Sequence, residues 1–136
     1  MKKFIVVVVC LLSMSSYGEV IGKSSAKGLV FKDTLEVLAF DDPDIKGVTC
    51  YTTYYDRALT WDDSSSVSLS CRKTGVISGN LVARPNVFSQ SKSLFFKKTV
   101  VDRYYDAKRG VLVYVTYTKD TDGENASNSI SVVVVK

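Results

Sequence analysis

Alternation with a period of two runs through most of this chain, and it constrains the fold more than any other feature. Ser66-Val67-Ser68-Leu69-Ser70-Cys71 alternates strictly, which puts Cys71 on one side with Val67 and Leu69. Leu35, Val37 and Ala39 share one side of a second such stretch, and Glu36, Leu38 and Phe40 share the other. Val48 and Cys50 fall together on a third. Leu94 to Tyr105 is rich in aromatic and β-branched residues, as is Val111 to Thr118. Between them, Asp106-Ala107-Lys108-Arg109-Gly110 reads as a tight connection with glycine at a left-handed position, giving the clearest hairpin of the sequence. Asp120 to Gly123 reads as another turn. Ile130 to Val135 is almost pure valine and isoleucine, a composition expected of a strand buried on both faces.

Helical periodicity is missing beyond the N-terminal run, apart from a possible short turn over 56–63. Glu19 to Gly28 is polar and small and reads as a loose lead-in. Pro43 and Pro85 are expected in connections, where a missing N–H costs little. The pattern predicts one mainly β domain, an antiparallel sandwich or a partly closed barrel. With 136 residues there is room for a single domain.

The N-terminus reads as a secretory signal over 1–18, followed by the β domain at 19–136. Lys2 and Lys3 precede an apolar run from Phe4 to Leu12, and Ser16-Tyr17-Gly18 supplies small residues for cleavage. The run is short of the roughly 20 residues that span a bilayer, so no transmembrane segment is expected after cleavage. Cys10 follows Val9 and lies early in the run, which fits a lipoprotein signal poorly. Removal of two lysines lowers the net charge from +4 to +2, which argues against nucleic acid as a partner. The expected location is periplasmic.

Cys50 and Cys71 remain in the exported chain. Two cysteines in an oxidising compartment read as one disulfide, worth roughly 3 kcal/mol, against the alternative of two free core thiols. The chain has no histidine. That removes Ser-His-Asp and Cys-His catalysis and His-ligated metals. No cofactor or metal is read from the sequence.

Several groups remain as candidates. Asp41, Asp42 and Asp44 form the densest acidic cluster, either oxygen ligands for calcium or turn-forming side chains around Pro43. Lys92, Lys97, Lys98, Arg103, Lys108 and Arg109 concentrate positive charge on one hairpin, suited to anionic lipid, lipopolysaccharide or an acidic partner. Their alternative role is a solvated strand face, or pairing with the acidic cluster inside the fold. Tyrosines are numerous, and rings on strands are mostly packing. Trp61, in a polar stretch, is the best ring for a small ligand.

Two blocks carry a family resemblance: AFDDPDIKGVTCY (Ala39 to Tyr51) and VFSQSKSLFFKKTVVDRYYDAKRGVLVYVTYT (Val87 to Thr118), supported by SLSCRKTG and NSIS. In order and spacing the chain resembles the CreA family of bacterial exported proteins, which takes its name from a catabolite-regulation locus. The resemblance implies a small periplasmic protein and supplies no catalytic residues. Asp41, Asp42, Asp44, Lys46 and Cys50 fall on its first motif, Cys71 on the partner cysteine, and Asp106, Lys108 and Arg109 on its second. Between the cysteines, where the family has a glycine-rich stretch, residues 53–66 contain no glycine. The expectation is a binding or envelope-associated module with an envelope partner or small ligand. The competing expectations are an enzyme built on Asp42, Asp44, Lys108 and Arg109, and a structural protein that associates through the edge of its last strand.

Overall fold

A computed structural model describes residues 18–25, 34–56, 67–91, 98–119 and 127–136. Eight strands follow one another: β1 (Glu19–Ser25), β2 (Thr34–Asp41), β3 (Ile45–Asp56), β4 (Ser68–Gly79), β5 (Arg84–Ser91), β6 (Lys98–Asp106), β7 (Val111–Lys119) and β8 (Asn128–Val134). They form two antiparallel meanders, β1-β2-β3-β4 and β5-β6-β7-β8. Among the described residues no helix is long and apolar enough to cross a membrane.

The sheets pack face to face through the alternating side chains. Leu38, Phe40, Val48 and Cys50 come from the first sheet, and Phe88, Val101, Leu112, Tyr114 and Val133 from the second. Phe40 of β2 stacks on Phe88 of β5, with ring centroids 4.2 Å apart. Cys50 and Cys71 stand directly opposite on β3 and β4 and form the disulfide. At the other margin of β4, the Val67 and Cys71 N–H groups donate to the Ser127 and Ser131 hydroxyls at 3.2 and 2.8 Å. Serine side chains thus close the corner between β4 and β8, which lie in separate sheets.

Several expectations need correction. Glu19–Ser25 is a paired edge strand, not a loose lead-in. An edge strand is held by main-chain bonds to one neighbour, so it needs few large apolar side chains. Pro85 lies inside β5 and not in a connection. It is tolerated because β5 is an edge and its ladder is interrupted between Arg84 and Phe88, where Asn86 adopts a φ of 55°. The last strand is buried on one face only: Val133 points inward, while Ile130, Val132 and Val134 face outward. The 106–110 hairpin forms as expected, with Gly110 at a φ of 63°. Of the expected helical turn over 56–63, Asp56 is the last residue of β3 and the rest lies outside the described residues, as does the turn over 120–123.

Strand direction assigns the two ends of the sandwich different characters. The tight connections β2–β3, β4–β5 and β6–β7 share one end. Both sequence motifs therefore lie toward the same end, one from each sheet.

Candidate functional site

The chain leaves β2 at Asp41 and re-enters β3 at Ile45, across Pro43. Asp42 shapes this turn. Its Oδ1 accepts the Asp44 and Ile45 N–H groups at 2.9 and 3.1 Å. That local bonding is the turn-forming role expected of the acidic cluster.

Asp42 also receives two groups from the opposite sheet. Arg103 Nη1 lies 2.6 Å from Oδ1 and 2.7 Å from Oδ2, and the Tyr114 hydroxyl donates to Oδ2 at 2.7 Å. The ion pair is sealed, with side-chain exposures of 1% for Arg103 and 0% for Asp42. Arg103 Nε donates to the Val82 carbonyl at 3.0 Å, and its Nη2 to Asp44 at 3.2 Å. One guanidinium thereby joins the β2–β3 turn, the β4–β5 connection and β6. The burial is tolerable because most of its donors and both carboxylate oxygens find partners.

Around this pair the network becomes wetter. Arg84 Nη1 grips both oxygens of Asp44 at 2.7 and 2.6 Å at the surface. This hydrogen bond, with the Arg84 and Arg103 charges, holds the Asp44 carboxyl below the ordinary aspartate range, against an opposing desolvation effect. Burial, followed by the hydrogen bond and charge of Asp42, raises the Tyr114 hydroxyl far above the usual tyrosine range. Tyr114 is therefore a donor and not a base at any ordinary pH.

The remaining candidates lie apart from this network. Asp41 faces outward and accepts the Thr49 hydroxyl at 2.6 Å. Lys46 is exposed on β3. Lys108 is exposed in the β6–β7 turn, where Arg109 bonds Asp106 at 2.9 Å. Arg109, by hydrogen bond and charge, holds the Asp106 carboxyl below its ordinary range. Trp61 lies outside the described residues, as do Lys92 and Lys97. The cations that reach Asp42 and Asp44 are thus Arg103 and Arg84, in place of the Lys108 and Arg109 of the enzyme reading.

Of the two roles open to the basic hairpin, Arg103 takes the pairing with the acidic cluster inside the fold, and it is almost fully enclosed. Its position was legible by parity: Arg103 shares a strand side with Val101, and an arginine on a core-facing side requires a buried carboxylate. Tyr114 was legible in the same way from Leu112.

The fold and this joint define a class: small two-sheet β proteins with a cross-strand disulfide and a buried ionic contact between sheets. Within that class, residues 21–136 match the family model described as CreA protein, and the chain belongs to the CreA family. Protein CreA of Escherichia coli (strain K12) is 37% identical, over 73% of this chain and 71% of that protein. The same figures hold for Protein CreA of Escherichia coli O157:H7. No solved structure matches.

Proposed function

We propose that this CreA family member works in the periplasm as a non-enzymatic binding or envelope-associated module. The observation that carries the reading is the sealed Asp42–Arg103 pair. Acid–base chemistry needs groups within reach of a substrate. Here the motif carboxylate and its guanidinium are turned inward and complete one another, so they act as a joint that fixes the two sheets. The groups left outside, Lys46, Lys108 and Arg109, suit recognition of an anionic or acidic partner.

The compartment is supported by the N-terminal run and by the disulfide, because cross-links persist where the surroundings are oxidising. Osmotic-shock fractionation of cells making the full chain, followed by non-reducing peptide mapping, tests both parts. Recovery in the shock fluid with Cys50 joined to Cys71 is expected. Recovery in the cytoplasm with two free thiols overturns the proposal.

A further inference from the structure

Sheet β5-β6-β7-β8 has a second face that the core does not use. On it, Val111, Val113 and Val115 of β7 pair directly with Val134, Val132 and Ile130 of β8. The three β8 side chains are 57%, 52% and 64% exposed. Tyr104, opposite Val113 on β6, extends the apolar block and is 51% exposed. Soluble surfaces rarely leave a contiguous block of this kind uncovered without a use.

The edge of β8 is not the open feature, since β4 lies along it through the two serine contacts. What remains open is the flat face. Its charges indicate what covers it. At one end Lys98 and Lys119 stand side by side. At the other, eight residues along β6 and about 26 Å away, the turn carries Lys108 beside the Arg109–Asp106 ion pair. Among the described residues, two carboxylates lie on this side and both have partners. Asp102 accepts the Asn86 N–H and the Tyr117 hydroxyl, and Asp106 accepts Arg109.

A second copy fits this arrangement poorly. Any two-fold stacking of the face sets a cationic end against a cationic end. An extended anionic plane with an apolar layer beneath it fits both features at once, since lysine stems can lie along the apolar surface while their charges reach headgroups. We propose that this face docks onto a bilayer surface bearing anionic phospholipid headgroups. The proposal builds on the envelope-associated reading above, but its test in vitro does not depend on where the cell places the protein.

The experiment is flotation of the purified protein with vesicles of phosphatidylcholine alone or mixed with phosphatidylglycerol, at low and raised salt. Binding is expected only to the anionic vesicles, and it should weaken as salt rises. Lys108→Gln with Lys119→Gln should reduce it by about 5-fold per cation. Ile130→Thr with Val132→Thr keeps the β-branched shape and should reduce it about 10-fold or more. Circular dichroism checks that these surface variants stay folded. Equal binding to both vesicle types, no binding, or unchanged binding by the folded variants overturns the proposal. So does a dimer in the absence of lipid that Ile130→Thr/Val132→Thr abolishes. Any of these results leaves the periplasmic placement untouched, because fractionation reads that separately.

Discussion

Arg103 and Asp42, 61 residues apart in sequence, hold each other across the two sheets with a single nitrogen bridging both carboxylate oxygens. Removing one partner strands the other's charge in the interior. Arg103→Met or Asp42→Asn is expected to cost about 3–5 kcal/mol in urea unfolding. The double variant should be more stable than the sum of the two losses implies, because a pair removed together leaves no lone charge. Strict additivity would show that the two residues do not act as a unit.

Tyr114→Phe removes only a donor and leaves Asp42 its arginine. A loss of about 1.5–3 kcal/mol is expected, as for a hydrogen bond to a charged group. Alkaline pH gives a second reading. The unfolded chain releases the tyrosine proton near pH 10, while the folded chain keeps it on Tyr114. Above that pH the unfolded state binds fewer protons, so stability falls as pH rises. Tyr114→Phe should flatten this decline in part. Tyr117, raised first by burial and then by its bond to Asp102, contributes in the same direction.

Acid acts through Asp44. Its carboxyl is held low in the folded chain, so its contribution is complete above the unfolded aspartate value and is lost as pH falls through the folded one. Arg84 and Asp44 are both partly exposed, and water screens them. Arg84→Gln is therefore expected to cost no more than about 1 kcal/mol near neutrality. The gap between variant and parent should close in strong acid. A gap that persists there would place the role of Arg84 in packing.

Cys50→Ala with Cys71→Ala opens a loop closed across 21 positions. The expected loss is about 3 kcal/mol at equilibrium. The sheet pairing around the two positions is otherwise complete, so the far-ultraviolet spectrum should keep its β form.

How much of this was legible in the sequence depends on the kind of interaction. The sandwich, the 106–110 hairpin and the facing cysteines follow from alternation, which each stretch displays on its own. β1 and β5 were missed because edge strands are stabilised by neighbours' backbones, and Gly22, Pro85 and Asn86 read locally as breakers. The exposed half of β8 was missed because the unbroken run Val132 to Val135 carries no parity; only pairing to β7 and contact with β4 decide which of them turn inward. In the site, the turn role of Asp42 was legible from Pro43 and its flanking acids. Pairing of the acidic cluster with the basic hairpin was open in the sequence as one alternative, but which cation reaches Asp42 is set by how two separate meanders stack.

The serine-closed corner has a mechanical consequence. From β2 the ladder leads to β3, the disulfide to β4, the Ser131 hydroxyl to β8, the ladder to β7, and the Tyr114 hydroxyl back to Asp42 at the end of β2. These ties form a closed hoop around the barrel-like girth. A hoop carries load from either sheet to the other, and it opens only where a link is cut. Its weakest links are the neutral hydroxyl bonds at Ser131 and Ser127, so a pull that separates the sheets should part them at the β4–β8 corner first.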